Sequence, residues 1–442
     1  MTLETLLPYG LAGLALVLCG LLVWRFPTVV MIVGLLSLAV RPQLFYGGPE
    51  VGYEWGLHQT LLLLGLIGNA LNFGVRRSVN WPILALVLSG LLTVLLGDLH
   101  PKLTYPFMLM TLGVLVMPWC FPQVIMEPGT RRLYALIIAV TPLLSVFVGA
   151  LMEASGLRPA VFAAVRLEGA TGNPEPFALL AFAGFVVALH ECTRPARPLM
   201  PALAVVNLAC VILSGTRMAI FASFLFLIAY AVLSAEFRDL VVRQRTRAVV
   251  AVALVLGVFA WYWPTLEWRM FYDDSLNFQW TADPVRDLDL SNRDDVWRFY
   301  LEEWQLSPWF GRGIGSGLIA AADWLNLVQI RPHNQYLHLL VTTGVVGLIL
   351  IGSALVLWYR QLVRSAYALD RSFLLALILP LAALAITEDV FLFSTALGLF
   401  AYWGVVLTRP PQAFFEALRR EQAVHLEPAL AEPSLDPEAP SR

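Results

Sequence analysis

The stretch AVVAVALVLGVFAWYW at residues 248–263 runs for 16 residues without a charged side chain. A helix satisfies its own backbone hydrogen bonds, and roughly 20 helical residues cross the hydrocarbon core of a bilayer. The stretch follows an arginine-rich segment, 238–247, and precedes a long hydrophilic segment, 264–334. An apolar run between a basic loop and a polar loop predicts a membrane-spanning helix.

Similar apolar runs recur along most of the 442 residues, which are 59% hydrophobic and only 14% charged. Soluble proteins carry roughly 25% charged residues, and a transmembrane β-barrel would show weak alternation instead of continuous runs. The sequence therefore predicts an all-α polytopic membrane protein with about 12 transmembrane helices, or 13. The candidate spans are 6–24, 27–46, 57–74, 81–97, 103–119, 133–152, 176–190, 199–213, 216–234, 248–263, 335–358, 372–386 and 391–408. The first 24 residues lack a basic start and a small-residue cleavage site, which predicts a retained helix instead of a signal peptide.

The distribution of basic residues predicts the orientation. Arginines collect in 238–247 and again in 360–371, and short basic loops face the cytoplasm. The segment 264–334 then faces the periplasm, and a second helix is predicted in it near 320–328. A helix at 293–305 is predicted by apolar spacing, which places on one side Val296, Trp297, Tyr300, Leu301 and Trp304. The predicted organisation is an N-terminal transmembrane bundle at 1–263, a periplasmic loop with lid-like helices at 264–334, C-terminal transmembrane helices at 335–408 and a cytoplasmic, largely disordered tail at 409–442.

Several classes of function are disfavoured. The formal net charge is −2 and the basic residues form no stripe, so nucleic acid is not an expected partner. The four cysteines lack CxxC spacing, which argues against a zinc site or a disulfide framework. The glycine-rich segment 311–317 lacks the Lys-Ser/Thr ending of a phosphate loop. No cofactor and no metal are predicted.

Two residues are candidates for chemistry. Arg217 follows Ser214-Gly215-Thr216 between two apolar runs, where an arginine is costly unless it snorkels to the interface or meets an anion. Pro332 and Asn334, on either side of His333, predict the start of a helix. His333 therefore stands at the start of an apolar run, and its imidazole should lie at the external surface. His338 lies on a different helix face. A snorkelling role for Arg217 and a structural role for His333 both remain open from the residues alone.

The fragments that bear these residues resemble the O-antigen ligase and polymerase superfamily of bacterial GT-C type membrane glycosyltransferases. They are, in order, RLEGATGNPEP at 166–176, SGTR at 214–217, SNR at 291–293 with Trp297, PWFGRGIG at 308–315, and HNQYL at 333–337 with Thr343 and Gly344. One difference is Glu175, where similar proteins often carry asparagine.

The resemblance implies an O-antigen ligase. It would transfer a polysaccharide from undecaprenyl pyrophosphate to the lipid A core oligosaccharide, without a metal and with inversion, at the periplasmic face of the bacterial inner membrane. Besides these two substrates, membrane lipids are the expected partners. The implied roles are pyrophosphate binding for Arg217 and Arg293 and catalysis for His333. Arg166, Arg312 and Asn334 are secondary candidates for the same site.

Two alternatives remain. A polymerase of O-antigen or exopolysaccharide would share these motifs and use the same donor as acceptor. A transporter or flippase of lipid-linked glycans belongs to another class. Transporters carry broken helices and charges near the bilayer midplane, whereas the marked residues here gather beside a large loop. This placement favours the enzyme.

Overall fold

The computed structural model describes residues 19–40, 52–75, 81–96, 117, 119–127, 129–156, 162–163, 166–194, 197–271, 293–313, 333–365, 368–387 and 396–407. The helices with the bounds used below are α1 (Pro27–Ser37), α2 (Gly52–Phe73), α3 (Trp81–Leu96), α4 (Arg131–Ala154), α5 (Pro174–Cys192), α6 (Met200–Leu213), α7 (Arg217–Leu233), α8 (Ala235–Arg243), α9 (Arg245–Phe271), α10 (Arg293–Gln305), α11 (Gln335–Ser365), α12 (Ala368–Thr387) and α13 (Leu397–Leu407). A two-residue hairpin pairs β1 (Phe162–Ala163) with β2 (Arg166–Leu167).

The described part of the chain is mostly helical, as predicted. Five of its helices are long and apolar enough to cross a membrane, and up to seven spans result if each of two bent helix pairs counts as one. The predicted number of 12 or 13 stays a prediction, because several candidate spans, such as 103–119, lie largely outside the described residues. The predicted loop helix 293–305 is confirmed as α10. A second predicted helix, at 320–328, and the C-terminal tail lie outside the described residues.

Helix α5 is the centre of the bundle. It packs against α4, α6, α7 and α13. Of an apolar stretch of 18 residues in α5, 78% are buried, compared with 17% of the corresponding stretch in α9. Its contact with α6 is close because Gly184 presents no side chain there. A Cβ at Gly184 would lie 2.8 Å from Oδ1 of Asn207, whose Nδ2 donates to the carbonyl of Ala139 at 2.8 Å. These contacts hold three helices around one polar side chain.

The helix bounds define two ends of this bundle. Helices α5 and α7 begin, and α6 ends, at one end, which we call the site end. Helix α7 continues at its other end into α8, which carries Arg238 and Arg243, and we call this the basic end. Helix α5 has 19 residues, so about 28 Å separates its two ends at a rise of about 1.5 Å per residue.

Candidate active site at the start of α5

The segment before α5 fixes the start of that helix. Gly172 has a left-handed backbone with φ of 69°, which glycine adopts without a steric penalty. Asn173 then caps α5, because its Oδ1 accepts the backbone N–H of Glu175 at 2.9 Å. Pro174 occupies the first helical turn, where its missing N–H costs nothing. This local sequence holds Glu175 in the first turn of the most buried of the candidate membrane-spanning helices.

The turn from α6 to α7 lies against this segment. Gly215 has φ of 63°, and α7 begins two residues later, at Arg217. The hydroxyl of Thr216 donates to the carbonyl of Pro174 at 3.3 Å. Arg217, half-buried, therefore starts its helix beside the start of α5, where the positive ends of two helix dipoles favour an anion.

Arg166 joins the same turn. Its Nε donates to the carbonyl of Ser214 at 2.8 Å, and its terminal nitrogen donates to the hydroxyl of Thr216 at 3.1 Å. These two bonds tie the hairpin strand β2 to the residues just before Arg217. Arg166 therefore shapes the turn that presents Arg217, in addition to carrying a positive charge to this end of the bundle.

His333 comes to this place from a distant part of the chain. Its Nδ1 lies 3.6 Å from Oε2 of Glu175, and the two side chains are 32% and 20% exposed. His333 has φ of 45° and is the single non-glycine residue with positive φ in the described part of the chain. Such a backbone is uncommon outside glycine and costs energy that the surrounding structure must offset.

Asn334 has a structural role next to His333. Its Oδ1 accepts the backbone N–H groups of Tyr336 and Leu337, each at 3.1 Å, so it caps α11 as the sequence predicts. His338 is 1% exposed and lies further along α11. The start of α5 thus brings together Arg166, Arg217, His333 and Asn334, four of the residues that the sequence singled out.

Arg312 has its partners outside this group, in α10 and α11. The guanidinium of Arg312 forms an ion pair with Glu303 of α10, and its backbone N–H donates to the carbonyl of Val341 at 2.8 Å. Arg293 is the first residue of α10, and the position of its side chain lies outside the described residues. The structure therefore engages Arg312 with α10 and α11 and leaves the role of Arg293 a prediction.

Helix α11 is broken at Gly344, where the turn that follows α10 packs against it. Gly344 has φ of 64° and ψ of −169°, a conformation outside the helical region. The turn after α10 fills the break: Gly313 N–H donates to the carbonyl of Thr342, and the carbonyls of Pro308 and Trp309 accept from the N–H groups of residues 345 and 346, all at 3.0 Å. These bonds satisfy backbone groups that a broken membrane helix would otherwise leave without partners.

The same contact joins α10 to the first half of α11. Tyr300 of α10 is fully buried against Val341 and Phe299, with Val296, Trp304 and Leu337 around them. The sequence predicts this apolar side of α10, except that Leu301, expected on it, is 40% exposed. Helix α10 and the first half of α11 thus form one packed unit.

We expect Gly344→Ala to destabilise the protein by about 2 kcal/mol or more. A Cβ there would lie 2.4 Å from the carbonyl carbon and oxygen of Trp309, and only glycine adopts this backbone readily. Thermal unfolding in detergent measures the change. Gly352, on the same helix with open space around its Cβ position, is the control: Gly352→Ala should be neutral or stabilising by up to about 1 kcal/mol. Equal melting temperatures for both variants would show that the break is not required.

The basic end of the bundle holds a second polar group that the sequence did not reveal, which we call the ionic cluster. Its members are Arg131, His190, Glu191, Arg194, Arg197, Asp370 and Tyr402. Asp370, with no exposed surface, accepts from Arg131 at 2.8 Å, Arg194 at 2.7 Å and His190 at 2.9 Å. His190 also bonds Tyr230 at 2.8 Å and stacks on Phe373 at 4.2 Å. The charged residues flank apolar runs, which was the only signal in the sequence.

In the described part of the chain, no three histidine, cysteine or acidic side chains are grouped so that they could hold a metal ion. The groups at the start of α5 are instead arginines, one histidine and one carboxylate. Such a set can bind an anion through the arginines and exchange a proton through the imidazole. It suits transfer of a group away from a phosphate leaving group.

Comparison with protein-family models gives one match. Residues 202–352 match the family described as O-antigen ligase, about a third of the chain. The matched region contains Arg217, Arg293, Arg312, His333 and the helix break, and it confirms the resemblance seen in the sequence. No curated protein matches the chain.

Proposed function

We propose that the protein is an O-antigen ligase, a membrane enzyme of the ligase and polymerase family. The match of residues 202–352 to the family described as O-antigen ligase supports this proposal. The enzyme would transfer a polysaccharide from undecaprenyl pyrophosphate to a sugar of the lipid A core at the periplasmic face of the inner membrane. The observation that carries this proposal is the meeting of His333 with the start of α5 and the turn before Arg217. This arrangement offers a proton acceptor beside an anion site.

The proposed reaction needs little from the protein beyond position and charge. An oxygen of the acceptor hydroxyl forms a bond to the anomeric carbon while the bond from that carbon to the pyrophosphate oxygen breaks. The hydroxyl proton passes to Nε2 of His333, and undecaprenyl pyrophosphate leaves with the bonding electron pair. Attack opposite the leaving group inverts the anomeric carbon. Arg217 and Arg293 would stabilise the charge that grows on the pyrophosphate, as planar guanidinium groups do for phosphates.

The orientation that we propose for the protein in the membrane rests on the distribution of arginines. Arg238, Arg243, Arg245 and Arg247 lie beyond the end of α7 that is opposite to Arg217. Short basic segments stay in the cytoplasm, so the basic end would face the cytoplasm. The site end, at the opposite end of the bundle, would then face the periplasm. A lipid-linked donor and a core acceptor would both be within reach of that face.

The test of the proposal is the product. Purified protein in liposomes is given an undecaprenyl pyrophosphate glycan with or without lipid A core, and the products are separated by electrophoresis and mass spectrometry. A ligase forms glycan-bearing core only when core is present. Longer donor-linked chains without core would identify a polymerase, and movement of intact donor without a new bond would identify a flippase. Either of these results would overturn the ligase proposal.

We expect Arg217→Lys to lower the rate of transfer roughly 10- to 100-fold, the loss of one strong charged hydrogen bond. An ammonium keeps the charge but cannot bind phosphate with two parallel N–H groups. Transfer rate and protein yield are measured together. Arg247→Lys at the basic end, where Arg247 contacts Gln244 at 3.3 Å, is the matched control and should be fully active. Full activity of Arg217→Lys would assign Arg217 to the membrane interface alone.

A further inference from the structure

We propose that Glu175 is a positioning residue for His333: its carboxylate holds the proton of the imidazole on Nδ1, so that Nε2 carries no proton and can accept the proton of the attacking hydroxyl. The proposal deepens the function proposed above and rests on it for the identity of the hydroxyl. It concerns a carboxylate that none of the roles implied by the family resemblance includes.

The geometry supports this pairing. The atom of His333 that faces Glu175 is Nδ1, at 3.6 Å from Oε2. This is within ion-pair range and about 0.4 Å beyond the upper limit of an N–H···O hydrogen bond. Catalytic hydrogen bonds are often this long in proteins without bound substrate. With Nδ1 directed to the carboxylate, the other ring nitrogen, Nε2, points away from it. The partial exposure of both side chains, 32% and 20%, leaves room for a sugar hydroxyl to approach.

The rigidity of both partners gives the pair its direction. Glu175 stands in the first turn of α5, behind the cap by Asn173, and the positive end of the helix dipole favours an ionised carboxylate there. His333 has its strained backbone, φ of 45°, immediately before the cap by Asn334. Each side chain therefore lies beside a capped helix start, which fixes the backbone next to it.

The chemical consequence follows from the two states of the imidazole. Neutral histidine carries its proton on either nitrogen, and a hydrogen bond at one nitrogen selects the tautomer. When Nε2 takes the proton of the hydroxyl, the ring becomes a cation, and a carboxylate at Nδ1 stabilises that cation. The carboxylate keeps its own charge throughout and takes no proton, which is the role of an orienting acid beside a histidine base.

The first experiment measures activity in three variants. Glu175→Gln keeps size and hydrogen bonding but removes the charge, so it should lower kcat roughly 10- to 100-fold, the effect of losing one charge-assisted hydrogen bond, while KM for the donor stays unchanged. Glu175→Asp keeps the charge at a shorter reach and should retain more activity than Glu175→Gln. Glu153→Gln, an exposed glutamate at the end of α4, should be fully active. A variant Glu175→Gln more active than Glu175→Asp would overturn the proposal, since shape and not charge would then matter.

The second experiment needs no glycan substrate. Protein labelled with ¹⁵N-histidine is examined by NMR at mildly alkaline pH, where an ordinary imidazole is neutral, and His333 is assigned by the signal missing in His333→Gln. We expect the proton on Nδ1 in the wild type and mainly on Nε2 in Glu175→Ala. A proton on Nε2 in the wild type, or the same tautomer in both proteins, would overturn the pairing. If the tautomer changes as expected but the wild type transfers no glycan, the pairing stands and the proposed function fails.

Discussion

His333→Ala is expected to lower glycan transfer roughly 100- to 10,000-fold, the contribution of a general base, while binding of the lipid-linked donor stays nearly unchanged. The reason is the division of roles at the start of α5: the arginines hold the pyrophosphate and the imidazole takes the proton. Transfer is measured from product formed per minute, and donor binding is measured separately with a fluorescent donor. A folded variant that transfers at the wild-type rate would remove the base assignment.

His338 is the matched control for this experiment. His338 lies inside α11, is 1% exposed and stands five residues after His333, which precedes the helix. His338→Ala should reduce stability through lost packing and leave the activity of the folded fraction near the wild-type value. If His333→Ala loses donor binding instead of transfer, His333 belongs to the pyrophosphate site.

Asp370→Ala is expected to cost about 3–5 kcal/mol of stability, the effect of removing one partner from a buried ion pair. Asp370 has no exposed surface and accepts hydrogen bonds from Arg131, Arg194 and His190. Without the carboxylate, the positive charges of Arg131 and Arg194 would have less negative charge beside them in this buried cluster. We expect a melting temperature lower by several degrees in detergent and a lower yield from membranes.

The control for Asp370 is Asp239→Ala, an exposed aspartate of α8 at the same end of the bundle, which should melt like the wild type. The ionic cluster lies about 28 Å from the start of α5 along the helix. The folded fraction of Asp370→Ala should therefore transfer glycan at the normal rate. A stable Asp370→Ala protein that lacks activity would contradict the structural role and assign the cluster to function.

Part of this architecture could be predicted because its causes are local. An apolar run can be read directly as a helix, since a helix in lipid satisfies its own backbone, and the predicted segments 133–152 and 335–358 lie within α4 and α11. The spacing of apolar residues in 293–305 predicts α10, and the amide of Asn334 predicts the start of α11. Each of these follows from neighbours within a few residues.

The candidate site could be predicted residue by residue but not as a constellation. Arg217 and His333 were visible as polar residues beside apolar runs, and the resemblance of their surroundings to a known family assigned their roles. The partner of His333, however, is Glu175, which is 158 positions earlier in the chain. Nothing local to either residue indicates that pair, because it depends on α5 and α11 starting at the same end of the bundle.

Long-range packing also accounts for features whose structural role the sequence did not indicate. Gly344 belongs to a fragment that resembles a known family, but its role as a helix break comes from the turn at Trp309, whose backbone hydrogen-bonds to α11 at that point. Asp370 looks like a charge near a helix start, and its burial comes from the packing of α4, α5 and α12 around it. Hydrophobicity along the chain determines which segments are helices, because the membrane acts on each segment separately. Which polar groups meet depends on how those helices pack, because each contact joins residues that are far apart in sequence.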